Sequence, residues 1–315
     1  MIVNPNATST NDRTRRTITT TLRHELDLEI ATTKERGHAT ELARQAVHEG
    51  VDYVVVLGGD GTVNEVVNGM LGDEPPPADE LPILALVPGG HANVLANALG
   101  IARDPLKAAT QVVDLIRNER ITTIGLGKAH ARWFTFNAGL GIDAEVVATV
   151  EDLRDRGLAA SSAAYVAGVV KTWVSTERWS GPMAIDAEHS DGRVEQLDGV
   201  VFAIIQNTAP WTMLGERPLQ ASPGARLDRG LDLVALASLS TPTTVRTLGS
   251  MLTSKGVVDG PDTSVVPDLR RLRIRSSRPV PLQVDGDLLG ETADLTLTSV
   301  PNALRVLADP QPPSE

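Results

Sequence analysis

The run Gly58-Gly59-Asp60-Gly61-Thr62 follows five apolar residues, Tyr53-Val54-Val55-Val56-Leu57, and opens onto a helical period that begins near Val63. Glycines at a strand end let a ligand approach the backbone closely, and the first N–H groups of the next helix point at it. This order is therefore built for an anion and suits phosphate. It lacks the Gly-Lys-Ser/Thr of a P-loop and the spacing of the dinucleotide-binding fingerprint. Asp60 inside the loop repels phosphate unless a Mg2+ ion bridges the two or a hydrogen bond gives the carboxylate a structural role. A second unit of the same design, Pro88-Gly89-Gly90-His91-Ala92-Asn93, follows the apolar strand Ile83–Val87. Two such turns at neighbouring strand ends can form one crevice for a nucleotide, with His91 a loop residue facing ribose or solvent. Near the other end of the chain, Asp285-Gly286-Asp287 sets two carboxylates around a flexible glycine. The triplet reads as an Asp-Gly hairpin turn or as a base that takes a proton from an attacking hydroxyl.

Composition narrows the classes. The chain has 315 residues, 41% hydrophobic and 22% charged, with a net charge of −11 and no Cys. That is a globular composition, and the length predicts two domains. Without Cys there is no disulfide, thiolate metal site or cysteine nucleophile. The acidic balance excludes a general nucleic-acid binder, whose affinity rests on clustered Lys and Arg. The longest apolar runs, including Val54–Leu57 and Ala163–Val170, fall far short of the roughly 20 residues a spanning helix needs. Met1–Pro5 lacks the pattern of a secretory signal, so the expected location is the cytoplasm.

The elements that must position these groups alternate in the first 120 residues. Strands at Ile2-Val3, Leu28–Thr33, Tyr53–Leu57 and Ile83–Val87 interleave with helices at Thr14–Leu26, His38–Glu49, from Val63, and through Leu99. Stacked units of this kind predict an α/β N-terminal domain, three-layered and Rossmann-like. The first strand is short for a buried one, so the true start of the chain is expected upstream of Met1. Beyond Ile121, strands at Trp133–Asn137, Val200–Gln206, Leu231–Leu236, Leu272–Arg275 and Leu282–Val284 predict a mostly antiparallel β-rich C-terminal domain, with helical periodicity at Ala144–Thr176. The expected division is residues 1–120, 121–308 and a flexible tail at 309–315.

Asn4-Pro5 at the first turn, Gly58–Thr62 with Asn64-Glu65, Pro88–Asn93, Asn137–Asp143 and Asp285-Gly286-Asp287 occur in one order along most of the chain. Together they resemble the diacylglycerol kinase catalytic family, which includes bacterial lipid kinases and sphingosine kinases. The resemblance implies a fold like that of NAD kinase and diacylglycerol kinase, and ATP- and Mg2+-dependent phosphorylation of a lipid hydroxyl in a cleft between the two domains. By the same resemblance, Asn4, Pro5, Asn6, Ala7 and Thr8 line the phosphate or ribose side, and Thr33 contacts the nucleotide. Gly58, Gly59, Asp60, Gly61, Thr62, Val63 and Asn64 cradle the phosphates, with Asp60 the candidate metal ligand. Glu65, Gly90 and Asn93 support that site, and Asp285 or Asp287 is the base.

Four positions depart from the family pattern. Asp287 stands where the family usually has Glu, one methylene longer, which shifts weight to Asp285. Val94 and Gly125 stand where many bacterial members have Asp. Asp228-Arg229-Gly230 places a guanidinium where some members have a structural metal. The leading acceptor is diacylglycerol or a related lipid alcohol. Competing readings are a sphingosine-type long-chain base kinase, an NAD kinase, and a non-catalytic nucleotide or lipid sensor. A lipid kinase touches the bilayer at its inner face, either through Tyr165–Trp179 or through Arg271, Arg273 and Arg275 on one strand face; the competing readings are a core helix and a solvated sheet face. A homodimer is compatible with all of these.

Overall fold

A computed structural model describes residues 1–141, 182–214 and 217–308. The helical period expected at Ala144–Thr176 and the Trp-bearing segment Tyr165–Trp179 lie outside the described residues. The chain divides into two compact units.

Among the described residues, the first unit comprises Met1–Leu126, Ala131–Trp133 and residues 301–308. Its elements are β1 (Ile2–Val3), α1 (Asp12–Leu22), β2 (Ala31–Thr32), α2 (His38–Glu49), β3 (Tyr53–Gly58), α3 (Asp60–Leu71), β4 (Ile83–Pro88), α4 (Val94–Ala98) and α5 (Pro105–Arg117). Strand β1 pairs in parallel with β2 and β3, and β3 with β4. Strand β4 has Val54 to Leu57 of β3 beside it, and all of these residues are buried, as central strands covered on both faces require. Helix α1 packs on α5, and α2 on α3. The helix ends follow local chemistry: the Asn11 and Asp104 side chains cap α1 and α5, Pro105 opens α5, and Gly50 closes α2 in the left-handed region. Helix α5 adds an element to the predicted set, and the strand expected at Leu28–Thr33 shortens to Ala31–Thr32.

Strand β5 (Ile121–Ala129) and strand β6 (Arg132–Phe134) carry the chain between units. The second unit, Gly127–His130 and Phe134–Val300, contains β7 (Asn137–Leu140), β8 (Met183–His189), β9 (Val194–Val200), β10 (Phe202–Gln206), β11 (Thr212–Leu214), β12 (Arg217–Leu219), β13 (Leu231–Leu236), α6 (Thr241–Met251), β14 (Thr263–Val284) and most of β15 (Asp287–Leu307). The pairing is antiparallel. Strand β14 is long enough to pair with β13 at one end and β7 at the other, while β10 joins β13 to β7, which closes a circuit of four strands. Phe134, Leu140, Ile205, Leu233, Leu272, Leu282 and Leu297 help fill the core of this unit. Phe202, Ile204, Val234 and Leu236 pack with Leu248 and Met251 of α6 in a second cluster. The two strands expected at Leu272–Arg275 and Leu282–Val284 are parts of the single strand β14, whose register against β15 shifts between Arg275 and Val280.

Candidate active site

The two glycine turns leave the C-terminal ends of the neighbouring strands β3 and β4, and they touch backbone to backbone. Gly89 donates its N–H to the Gly58 carbonyl at 2.8 Å. A Cβ built on Gly90 would lie 2.7 Å from the Gly59 Cα, and one built on Gly89 would lie 3.2 Å from the Gly58 backbone and 2.9 Å from the Ala7 Cβ. These glycines are required by one another, before any ligand is considered. Gly61 differs: a Cβ there meets nothing within 4 Å.

The helix after the first turn begins at Asp60, three residues before the periodicity suggested, so Asp60, Gly61 and Thr62 form its first turn. N–H groups in a first helical turn have no upstream carbonyl to bond. The Asp60 Oδ1 accepts the Val94 N–H at 2.7 Å and so caps α4 from across the turn. A structural hydrogen bond is one of the two roles expected of this carboxylate. The Asn93 side chain closes the second turn on itself, accepting the Gly90 N–H at 3.0 Å and donating to the Gly90 carbonyl at 2.7 Å, with its own backbone at φ +45°.

The first loop of the chain closes over these turns. Asn4 donates its N–H to Leu57 and its amide to the Thr62 hydroxyl at 3.0 Å, and accepts the Asn6 N–H. The Pro5 carbonyl accepts from Arg15 at 2.9 Å. The Thr8 hydroxyl lies 3.3 Å from the His91 ring. Ser9, which the motifs did not single out, bonds the carbonyls of Gly89 and Gly90 through its N–H and hydroxyl. Thr33 is buried at the end of β2, its N–H on the Val3 carbonyl at 2.9 Å.

Two predicted site residues direct their side chains elsewhere. Glu65 accepts the N–H groups of Gly37 and Ala39 at 2.9 and 3.2 Å, so its carboxylate caps α2. Asn64, fully buried beside Val63, donates to the Trp133 carbonyl at 3.0 Å and accepts from Arg132 and Asn68. Trp133, itself buried, completes that cluster with an indole N–H on the Gly72 carbonyl.

In the second unit, Asp285 and Gly286 occupy a two-residue hairpin turn with φ +47° and +85°, closed by the pairing of Val284 with Asp287. The Asp285 carboxylate is buried and accepts four hydrogen bonds: from the N–H groups of Thr135, Phe136 and Asn137 at 2.7, 3.0 and 3.0 Å, and from the Thr135 hydroxyl at 2.9 Å. Asp287 is half-buried at the start of β15.

The departures also have local accounts. Val94 is fully buried at the start of α4, where its N–H is taken by the Asp60 carboxylate. Arg229 pairs with Asp268 at 3.8 Å, and Asp228 with Arg226 at 2.9 Å. Nearby, Asp232 is buried, accepts the Ser222 hydroxyl at 2.5 Å and the Asp268 N–H at 3.0 Å, and has its acidity weakened, chiefly by burial. Among the described residues, no group of three or more His, Cys, Asp or Glu side chains is placed to hold a metal ion. Of the three arginines expected on one strand face, Arg273 lies 3.3 Å from Asp294 and Arg275 2.7 Å from Asp186; the adjacent Arg270 bonds Glu188. Acids thus stand beside two of the three cations of that face. No helix among the described residues is long and apolar enough to cross a membrane.

Comparison with known proteins agrees with this architecture. Residues 1–129 match the diacylglycerol kinase catalytic domain, and residues 137–308 match the YegS C-terminal NAD kinase beta sandwich-like domain. A probable lipid kinase YegS-like protein of Stenotrophomonas maltophilia is 28% identical over 89% of this chain and 86% of its own. A diacylglycerol kinase of Staphylococcus aureus is 28% identical over 82% of this chain and 75% of its own. The crystal structure of a putative diacylglycerol kinase from Bacillus anthracis shares the fold, with a TM-score of 0.76 at 24% identity, covering 98% of this chain and 96% of that one. With an α/β unit carrying paired glycine turns, a β-sandwich unit carrying the Asp-Gly-Asp hairpin, and family matches to both, the chain belongs to the diacylglycerol kinase catalytic family of lipid kinases.

Proposed function

We propose that the chain transfers the γ-phosphoryl group of ATP to the hydroxyl of diacylglycerol or a closely related lipid alcohol. The observation that carries the nucleotide half of this reading is the first turn of α3: Gly61 has open space where a side chain would stand, beside a pair of glycine turns locked in one conformation. An open glycine at a helix N-terminus suits phosphate, because the N–H groups and the helix dipole both favour an anion there. Gly59, Gly61, Thr62 and Gly90 would hold the triphosphate, and Asn4 and Thr8 would flank it. Mg2+ accompanying the ATP would supply charge neutralisation at the phosphates, and Asp60 of the first glycine turn is the side chain that would hold it. Phosphoryl transfer then needs alignment of donor and acceptor and a group to receive the hydroxyl proton. The carboxylates of the Asp285–Asp287 hairpin are of the right type for that step.

The lipid half rests on the family and on the relatives named as lipid or diacylglycerol kinases. A lipid acceptor also means peripheral contact with the membrane surface facing the cytoplasm. The test is incubation of the purified chain with ATP, Mg2+ and total lipid extract, with NAD+ in a parallel tube, followed by mass spectrometry of the products. A phosphorylated diacylglycerol is expected. A phosphorylated long-chain base would change the acceptor, NADP+ alone would move the activity to NAD kinase, and nucleotide binding without any product would leave a sensor.

A further inference from the structure

The turn Asp228-Arg229-Gly230 enters β13 lying flat against β14, where a Cβ on Gly230 would stand 2.7 Å from the Leu269 carbonyl oxygen. The two strands pair Leu231 with Leu269 and Leu233 with Val266, so β14 carries one residue more than β13 over this interval, and Asp268 takes φ +59° within it. The bulge brings Asp268 to a turn that already carries Asp228 and leads to the buried Asp232. The resemblance implies a structural metal at this turn in some members of the family. A hard divalent cation such as Ca2+ or Mg2+ takes roughly six to eight oxygen ligands, carboxylates among them.

Here every oxygen of the three carboxylates is already committed to a donor of the chain. Both oxygens of Asp228 accept from the Arg226 guanidinium, each at 2.9 Å. In Asp268, Oδ1 accepts the Gly230 N–H at 2.8 Å and Oδ2 faces the Arg229 guanidinium at 3.8 Å. In Asp232, Oδ1 accepts the Asp268 N–H at 3.0 Å and Oδ2 the Ser222 hydroxyl at 2.5 Å. The Arg229 charge reaches this second acid too: burial weakens the acidity of Asp232, while the Ser222 hydroxyl, the Asp268 N–H and Arg229 work against burial.

We infer that the Arg229 guanidinium takes the place of a metal ion at this turn, so that the β-rich unit is held together without a divalent cation. An ion entering here would have to break the bonds just described and sit beside a fixed positive charge. A guanidinium stays protonated, is covalently part of the chain and cannot be removed by a chelator. The inference concerns the fold of this unit and is independent of the reaction proposed above.

The test uses the full chain without nucleotide. After purification in Mg2+ and gel filtration into metal-free buffer, elemental analysis should find no stoichiometric divalent ion. Thermal midpoints in EDTA, Mg2+, Ca2+ and Mn2+ should agree within about 1 °C, because only a ligand that binds the folded state raises the midpoint. Arg229→Asp sets a third carboxylate beside Asp232 and Asp268. It should melt about 3 °C or more below the wild type in EDTA and regain part of that difference in Ca2+ or Mn2+. If that variant fails to fold, Arg229→Gln, which loses the charge and keeps an amide donor, carries the same comparison. An ion retained stoichiometrically, or a midpoint raised several degrees by divalent cations, in both the wild type and Asp60→Ala would overturn the inference. So would Arg229 variants as stable as the wild type in EDTA and indifferent to metal. Either metal effect seen in the wild type and abolished by Asp60→Ala places the ion in the first unit and leaves the inference standing.

Discussion

Gly59 and Gly90 stand so close that a methyl group on Gly90 would fall 2.7 Å from the Gly59 Cα, well inside van der Waals contact with a backbone that cannot swing away. Gly90→Ala should therefore cost about 1–3 kcal/mol, because the strain falls on backbone and not on a flexible side chain. Urea unfolding measures it, and an unchanged midpoint would show that the two turns separate freely.

Gly61 gives the opposite expectation for folding. Alanine in a helical turn is favoured over glycine by about 0.5–1 kcal/mol, so Gly61→Ala should be more stable than the wild type. Its methyl group would enter the space assigned to phosphate, and nucleotide affinity should fall. Displacement of a fluorescent ATP analogue reads this directly, and full affinity would remove phosphate from this turn.

Asp60 and Glu65 are joined to helix N-termini, and their substitutions should separate charge from capping. Asp60→Asn keeps an oxygen for the Val94 N–H and should unfold near the wild-type midpoint, while Asp60→Ala should lose about 0.5–2 kcal/mol. Glu65→Ala leaves the N–H groups of Gly37 and Ala39 without their acceptor and should cost about 1–3 kcal/mol. Thermal melts at one pH compare all three.

The buried Asp232 carboxyl gives a pH dependence of known sign. Its affinity for a proton is raised above the ordinary aspartate value of 3.8, first by burial, against the lowering pull of Ser222, the Asp268 N–H and Arg229. A folded state that holds the proton more tightly than the unfolded chain is favoured in acid, and that contribution fades as pH rises through the folded-state value. Between about pH 4 and neutrality, the wild type should lose stability relative to Asp232→Asn. Parallel urea midpoints across that range would expose a flat difference if the idea is wrong.

Much of the first unit was legible because its signals are local. Helix α2 lies where its apolar face and Gly50 place it, and β3 and β4 lie where unbroken apolar runs place them. Helix α3 begins earlier than its periodicity because glycine and aspartate carry no apolar signal yet suit a first turn. Strand β14 was read as two pieces because Pro279 and Pro281 interrupt its alternation. What sequence patterns do not carry is distance. The partners of Asp285 lie about 150 residues upstream, so an Asp-Gly turn was readable while the buried state of its carboxylate was not. The reason for Gly89 and Gly90 is likewise hidden until β4 is known to lie beside β3.

The end of β15 has a consequence for synthesis. Val306 pairs with Leu84 of β4, Leu304, Val306 and Leu307 are fully buried, and Arg305 satisfies the carbonyls of Ala78, Asp79 and Leu81. The first unit is thus finished by residues translated more than two hundred positions after its own β4. A ribosome must deliver the whole β-rich half before the first module can seal its sheet, and a truncated product ending near residue 129 leaves that edge of β4 open to strangers.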